Sequence, residues 1–152
     1  MLNVKKRQEY LKYLGFYKGK IDGIEGKQTK KAYLDLQKKY FPKDECDGIY
    51  GHNTEILLID AYRVKKYTKN FKLEEFKCEC NGKYCTRYPA ELSITLLKNL
   101  QKSRDHLAVP MSITSGIRCP RWNTKVGGAS FSKHKLGKAV DFVSSKTKTF
   151  SE

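Results

Sequence analysis

The sequence predicts two small domains in tandem, an all-α three-helix domain followed by a small α+β domain with an antiparallel sheet. A short motif occurs twice in the first half, between stretches of helical periodicity. The second half has one long amphipathic stretch and then two short stretches that alternate like strands. We therefore predict domains at 3–66 and 72–152, joined by a linker at 67–71. A chain of 152 residues can hold two domains of this size.

The repeated motif has the pattern DGIxGxxT and occupies residues 22–29 and 47–54. An Asp-Gly pair favours a turn in which the glycine adopts positive φ, and we expect the threonine to cap the helix that follows. A calcium loop is disfavoured, because the motif lacks the spaced oxygen ligands and final glutamate of such loops. The repeat predicts two equivalent loops, each leading into a helix.

Helical periodicity predicts three helices in the first half and one in the second, at Gln8–Leu14, Lys30–Tyr40, Glu55–Lys66 and Pro89–Leu107. The first is expected to end at Gly15, a residue type common after helices.

Two strands are predicted in the second half, at Val109–Thr114 and Ala139–Val143. The second strand carries Asp141 among apolar residues. A carboxylate in that setting needs a partner.

His134 lies seven positions before Asp141. Imidazole and carboxylate groups are both good zinc ligands. On this spacing alone, a surface histidine and an ion-paired aspartate are the commoner interpretation. Nearby, Arg118 offers a guanidinium fork suited to a carboxylate, and the Gly127-Gly128 pair lets backbone pass close to a site.

The wider run adds SGIRCP at 115–120, Asn123, VGGA at 126–129 and the pattern SxHxxGxAxD at 132–141. It resembles the signature of VanY-like zinc D-Ala-D-Ala carboxypeptidases and L-Ala-D-Glu endopeptidases, which cleave peptidoglycan stem peptides. The resemblance implies a zinc-peptidase fold, with Zn²⁺ bound by His134 and Asp141 and a zinc-activated water that attacks the amide. It further implies that Arg118 holds a substrate carboxylate and that Ser132 orients a ligand.

The family's third zinc ligand is a histidine in a later motif, and an acidic residue near it is the general base. Residues 142–152 contain no histidine, and the other two, His52 and His106, lie in segments assigned elsewhere. We therefore expect a C-terminally incomplete peptidase domain with weak zinc binding, unless Cys119 supplies a third ligand. The alternative is a catalytically inert wall-binding protein.

Residues 3–66 resemble the three-helix peptidoglycan-binding domain found beside cell-wall hydrolases. The resemblance rests on the two DGI loops and on the segments that precede them, with Arg7-Gln8 and Leu36-Gln37 as landmarks. It implies binding of glycan or stem peptide near the repeated loops. Their residues are Asp22, Gly23, Asp47 and Gly48, whose expected role is chiefly structural.

Four of the five cysteines fall in the second half, at Cys78, Cys80, Cys85 and Cys119. The CxCx4C spacing is compact enough for a structural zinc completed by Cys119. Free buried thiols and disulfides are the other two interpretations. Trp122 is expected either to line a substrate cleft or to pack in the core.

The chain is strongly basic, with 31 lysine and arginine residues against 16 acidic ones and a formal net charge of +15. Such a field favours polyanions, either anionic wall polymers or nucleic acid. Nucleic acid is the weaker interpretation, because no arginine cluster or aromatic set organises the lysines. No apolar run predicts a membrane span, and the first residues lack the core of a signal peptide. This favours a cytoplasmic protein that reaches the wall after release, like a phage endolysin, with a secreted bacterial protein as the alternative.

Overall fold

The computed structural model describes residues 1–145, so residues 146–152 of the predicted second domain lie outside the described part. The helices are α1 (Val4–Leu14), α2 (Lys27–Tyr40), α3 (His52–Tyr67), α4 (Ile94–Leu107) and α5 (Pro120–Lys125), and the strands are β1 (Met111–Ser115) and β2 (Asp141–Ser144). Short 3-10 turns occupy Lys43–Glu45, Leu73–Phe76 and Lys133–Leu136. The predicted fold class is confirmed: three helices, then an α+β half with a two-stranded antiparallel sheet.

The helix ends differ from the predicted ones for local reasons. Helix α1 begins earlier, because the Asn3 side chain accepts a hydrogen bond from the Lys6 amide and caps it. It ends as predicted at Gly15, which has φ of 88°. Helix α4 begins later than the predicted Pro89, because the cap is the Ser93 hydroxyl, which accepts from the Leu96 amide.

The prediction that the motif threonines cap the following helices is wrong. The residues at the caps are Gly26 and Gly51, and both threonines lie inside the first turn, where they are buried. The Thr29 hydroxyl donates to the Ile24 carbonyl at 3.3 Å, and the Thr54 hydroxyl makes the matching bond at 3.2 Å. Each threonine therefore closes its own loop and does not cap the helix.

One buried glutamine organises the first DGI loop. The Gln8 Oε1 accepts from the amides of Asp22 and Gly23 at 3.1 and 2.9 Å. Its Nε2 donates to Asp22 Oδ1, to the Ile24 carbonyl and to Thr29 Oγ1 at 2.9 to 3.0 Å. A single side chain thus satisfies the polar groups that the turn leaves unpaired.

Gln37 repeats this network in the second loop. Its Oε1 accepts from the amides of Asp47 and Gly48 at 3.1 and 2.7 Å. Its Nε2 donates to Asp47 Oδ1, the Ile49 carbonyl and Thr54 Oγ1 at 2.9 to 3.1 Å. The sequence repeat is therefore a structural repeat, as predicted, but it includes a glutamine outside the motif.

A single hydrophobic core extends through both halves. Leu11, Leu36 and Leu57 from the helical half belong to the same buried cluster as Phe76 and Leu97 from the second half. The segment predicted as a linker contributes as well: Thr68 and Phe71 are buried. The boundary at 67–71 remains a prediction.

Helix α3 is also bonded to the segment that precedes α4. The buried Asp60 Oδ1 accepts from the Leu92 amide at 2.7 Å, and Arg63 Nη1 donates to the Leu92 carbonyl at 2.8 Å. Burial raises the pKa of Asp60 well above its usual value, because the carboxylate loses its water. Among residues 1–145, no helix has the length and apolar character that crossing a membrane requires.

Candidate functional site

The register of the two-stranded sheet places Asp141 beside the end of β1. Met111 pairs with Ser144 and Ile113 with Phe142, and after an irregularity Ser115 pairs with Asp141. The chain then turns away from the sheet, and Arg118 follows three residues later. The guanidinium Nη2 of Arg118 lies 3.4 Å from Asp141 Oδ2. The partner that the sequence required for Asp141 is therefore this arginine.

Backbone bonds hold His134 in this corner of the molecule. Its Nδ1 lies 2.8 Å from the Gly116 carbonyl oxygen, and its own carbonyl accepts from the Arg118 amide at 3.1 Å. A carbonyl can only accept, so Nδ1 carries a proton, and in the neutral imidazole Nε2 then has the lone pair. That Nε2 lies 3.4 Å from Asp141 Oδ2. An imidazole fixed in this tautomer is prepared to bind a metal through Nε2.

The separation of these two donor atoms suits zinc. Zinc–nitrogen and zinc–oxygen bonds of about 2.0 to 2.1 Å at a tetrahedral angle place two donor atoms about 3.4 Å apart. The His134 side chain is 12% exposed and the Asp141 side chain 58% exposed. The site is therefore supported from inside the protein and open to solvent on the carboxylate side, as a site that acts on an external substrate requires.

Arg118 is held by the last residue of β1. Its Nε and Nη2 both donate to the Ser115 hydroxyl, at 3.1 and 3.0 Å. These two bonds occupy the edge of the guanidinium formed by Nε and Nη2, and Nη2 also faces Asp141. Sequence reasoning missed Ser115 and Gly116 as supports, although both lie inside the motif that identified Arg118.

Two glycines allow the close backbone contacts around this corner. A Cβ on Gly116 would collide with the Phe76 carbonyl, and one on Gly137 would collide with the Glu91 carbonyl. Gly137 also has φ of 63°, in the region that favours glycine. The SGxR and HxxG parts of the signature therefore have structural reasons for their small residues.

Ser132 lies just before the 3-10 turn that carries His134. Within residues 1–145, only its backbone makes hydrogen bonds, accepting from the Lys135 amide at 3.2 Å and donating to the Ala129 carbonyl at 3.0 Å. Its assignment as a residue that orients a ligand stays a prediction. In the glycine pair, Gly127 has φ of 72°, and the Gly128 amide donates to the buried Asn123.

A third zinc ligand does not join His134 and Asp141 within residues 1–145. In that part of the chain, the cysteine cluster is the one group of three or more histidine, cysteine or acidic residues positioned to share a metal ion. Cys119, considered above as a third ligand, belongs to that cluster. His52 and His106 lie at exposed helix ends, at the start of α3 and in the last turn of α4.

The four cysteines of the second half converge, although Cys119 is distant in sequence. The Sγ atoms of Cys78, Cys80, Cys85 and Cys119 all lie within 4.8 Å of one another, and none is in a disulfide. Trp122 and Tyr84 pack against them, so Trp122 covers this cluster. Cys46 lies apart, with its thiol donating to the Pro42 carbonyl at 3.4 Å.

The thiols of this cluster influence one another. A hydrogen bond from Cys85 lowers the pKa of Cys78 to about 5, and the same bond raises the pKa of Cys85. Burial raises the pKa of Cys119. The cluster thus favours at least one thiolate, which is the form that binds metals.

The two loops predicted to bind wall polymers present isoleucines to solvent. The carboxylates of Asp22 and Asp47 are engaged within their own loops, where each Oδ1 accepts from the amide two residues on. Backbone hydrogen bonds from Ile24 and Ile49 lower the pKa of both carboxyls. Ile24 and Ile49 themselves are each 67% exposed. The aspartates shape the loops, and equivalent apolar side chains form their outer surface.

Comparison with protein families assigns both halves. The Peptidase M15 family model matches residues 69–151, more than half of the chain. A peptidoglycan binding domain model matches residues 2–58. The two matches follow each other in the order that the sequence resemblances implied.

Curated relatives match over part of the chain. The spore cortex-lytic enzyme of Bacillus cereus is 41% identical over 64 residues, which cover 41% of this chain and 24% of the relative. The spore cortex-lytic enzyme of Oceanobacillus iheyensis is 36% identical over 81 residues, covering 53% of this chain and 26% of the relative. The matched parts thus span about a quarter of the length of these relatives.

Proposed function

This chain belongs to the Peptidase M15 family, and on that premise we propose that it binds cell wall and hydrolyses amide bonds in peptidoglycan stem peptides. The observation that carries the proposal is the corner formed by His134, Asp141 and Arg118, where a metal-donor pair lies beside a carboxylate-binding group. The peptidoglycan-binding domain at residues 2–58 brings the substrate to it. The cortex-lytic name of the relatives is consistent with a wall polymer as partner.

His134 Nε2 and Asp141 Oδ2 would hold the zinc ion of this family. Zinc in such sites activates a water molecule and polarises the carbonyl under attack. The chain's own residues prepare this chemistry. The Gly116 carbonyl accepts the Nδ1 proton of His134, so that the Nε2 lone pair can bind the metal. The exposed carboxylate of Asp141 leaves room for a peptide.

Arg118 would hold the carboxylate next to the scissile bond. In D-Ala-D-Ala, the amide nitrogen is attached to the carbon that carries the terminal carboxylate. In an L-Ala-D-Glu bond within a γ-linked stem peptide, it is attached to the carbon that carries the free α-carboxylate of glutamate. Both leaving groups are D-amino acids with the same carboxylate placement, so one arginine serves carboxypeptidase and endopeptidase activity alike.

The test is digestion of purified peptidoglycan by the full chain in buffer with added zinc. Mass spectrometry of the soluble products distinguishes released D-alanine from products with a new amino-terminal D-glutamate. We expect one of these products from the intact chain and neither from His134→Ala or after chelation. Equal cleavage by the intact chain and His134→Ala would refute the assignment.

A second candidate function is a wall-binding protein without peptidase activity. It is favoured by one observation: residues 1–145 bring two metal donors to the site, whereas catalytic zinc sites have three protein ligands. This alternative predicts that the intact chain sediments with peptidoglycan but releases no product at any zinc concentration. Whether the protein is a phage endolysin or a secreted bacterial enzyme stays a question on which only the sequence-based prediction bears.

A further inference from the structure

We propose that Cys78, Cys80, Cys85 and Cys119 bind a structural Zn²⁺ that is separate from the peptidase site. The cluster lies in the same half of the chain as His134 and shares no residue with the peptidase site, although Cys119 is next to Arg118 in sequence. The proposal is independent of the proposed peptidase activity, because it concerns folding and can hold in an inert protein.

The spacing of the sulfurs fits a tetrahedral zinc site. Zinc–sulfur bonds of about 2.3 Å at a tetrahedral angle place neighbouring sulfurs about 3.8 Å apart. The four Sγ atoms lie within 4.8 Å of one another, and those of Cys80 and Cys85 are 3.4 Å apart. Two disulfides would require two separate close pairs, whereas here all four sulfurs are mutually close. Contraction around one ion needs movements well under the length of a side chain.

Burial and composition also match a structural site. Three of the sulfurs belong to residues that are at most 4% exposed, Cys78, Cys80 and Cys119. Four protein ligands leave no open position for water or substrate, and this distinguishes structural from catalytic zinc. The thiols would each release a proton on binding, so that four thiolates surround one divalent cation.

A backbone amide already points at one of the sulfurs. The Cys119 amide donates to Cys78 Sγ at 3.4 Å. Interactions with the backbone at Arg87 and Trp122 act to lower the pKa of Cys85 and Cys119 respectively, against the effect of burial. Such N–H···S bonds stabilise thiolate ligands by offsetting part of their negative charge. The backbone is therefore arranged for charged sulfur atoms, which neutral buried thiols do not require.

The proposed ion would fix the segment that builds the peptidase site. Residues 76–85 and 116–119 are joined by a bond from the Ile117 amide to the Phe76 carbonyl at 2.9 Å, and the cysteines add a second junction at Cys119. The same short segment supplies the Gly116 carbonyl to His134 and carries Arg118. Few regular elements support it, because the sheet in residues 1–145 has two strands. A metal cross-link would add a further constraint to this segment.

The test measures zinc per chain in the full-length protein, purified under reducing conditions and dialysed extensively. We expect one tightly held zinc, retained in His134→Ala and in Cys46→Ser, a matched control because Cys46 lies outside the cluster. Cys85→Ser and Cys119→Ser should lose it. Loss in His134→Ala with retention in both cluster variants would assign the zinc to the peptidase site and overturn the proposal.

Two measurements on the unmodified chain keep the test valid if the serine variants fail to fold. X-ray absorption should give zinc–sulfur distances of about 2.3 Å with four sulfurs. Titration with a mercurial thiol reagent should release one zinc as the cluster thiols react. A reduced chain without retained zinc, or a freshly isolated chain whose mass shows two disulfides, would refute the site.

Discussion

The two halves of the molecule hold their polar loops in different ways. In the first half, Gln8 and Gln37 each satisfy a whole DGI loop with one neutral, buried amide. In the second half, the loops that carry Arg118 and His134 are held by backbone bonds and by a cluster of four cysteines. The first solution is independent of metal and of pH near neutrality, whereas the second includes thiols that we propose to bind a metal.

This difference follows what each half must do. The binding half needs fixed loops that present a surface, and neutral hydrogen bonds achieve that at low cost in desolvation. The peptidase half needs an exposed carboxylate and an imidazole with a free lone pair, so its reactive groups cannot also be the groups that hold the fold together. Neighbouring residues therefore hold Arg118 and His134 in place: Ser115 and Gly116 by hydrogen bonds and, as we propose, the cysteines through a metal.

The largest expected effect tests the glutamine networks of the first half. Gln37→Ala removes one buried side chain that makes five hydrogen bonds to its loop. Several polar groups lose their partner, so we expect the free energy of unfolding to fall by about 3 kcal/mol. Gln8→Ala should cost a similar amount, because Gln8 makes the same five bonds to its loop and one more, from Nε2 to the Tyr17 hydroxyl at 3.3 Å. Chemical denaturation measures both.

Gln28→Ala is the matched control, since Gln28 is an exposed glutamine in the same half. Its effect should stay within about 0.5 kcal/mol. If Gln8→Ala and Gln37→Ala were equally mild, the idea that one buried glutamine organises each loop would be wrong.

The next effect concerns the peptidase half. Arg118→Lys keeps the positive charge but loses the planar fork, so a substrate carboxylate is held by fewer hydrogen bonds. We expect kcat/KM on stem peptides to fall by about 100-fold, while zinc content stays unchanged. Arg121→Lys, an exposed arginine nearby, should have no comparable effect. Loss of zinc in Arg118→Lys would show instead that the arginine shapes the metal site.

Wall binding tests whether the exposed isoleucines are the contact surface of the first half. The double variant Ile24→Ser, Ile49→Ser removes two apolar side chains that are each 67% exposed. We expect binding to purified peptidoglycan to weaken by about tenfold with the melting temperature unchanged. Sedimentation at high salt removes the contribution of the lysines.

The control for this double variant is Val126→Ser, at an exposed apolar position in the second half. It should leave wall binding unchanged. Binding that disappears at high salt in the unmodified chain would show that lysines, and not the loops, attach the protein to the wall.

The smallest expected effect concerns a residue that positions another. Ser115→Ala frees the Arg118 guanidinium from the hydroxyl that accepts from Nε and Nη2. We expect KM to rise about fivefold with kcat nearly unchanged, because two hydrogen bonds to one hydroxyl, together contributing about 1 kcal/mol, no longer orient the arginine. Ser112→Ala, on an exposed position of the same strand, is the control. A change in kcat alone would contradict this role.

Much of the fold could be predicted from local patterns. Apolar periodicity gave the helices and the repeat gave the two loops, because both depend on residues close in sequence. Helix starts were predicted less accurately. Thr29 and Thr54 have the sequence context of helix caps, but their hydroxyls accept hydrogen bonds from Gln8 and Gln37 within the loops. The two glutamines precede their motifs by different distances, so no fixed spacing reveals their equivalence.

The part of the site that could be predicted is also the part whose residues lie close together in sequence. His134, Asp141 and Arg118 stand in one continuous signature, and the structure brings them together. The supports Ser115 and Gly116 act through a hydroxyl and a carbonyl, which leave little trace in a single sequence. The convergence of Cys119 on Cys78, Cys80 and Cys85 depends on tertiary folding, so composition left three interpretations open.

The account's central claim is that His134 and Asp141 are the metal donors of a peptidase site. Crystals of the full chain equilibrated with excess zinc, measured at the zinc absorption edge, test it most directly. We predict an anomalous peak about 2 Å from both His134 Nε2 and Asp141 Oδ2, in addition to one within the cysteine cluster. A filled cysteine site with no density at the His134–Asp141 pair, even at high zinc concentration, would contradict the claim.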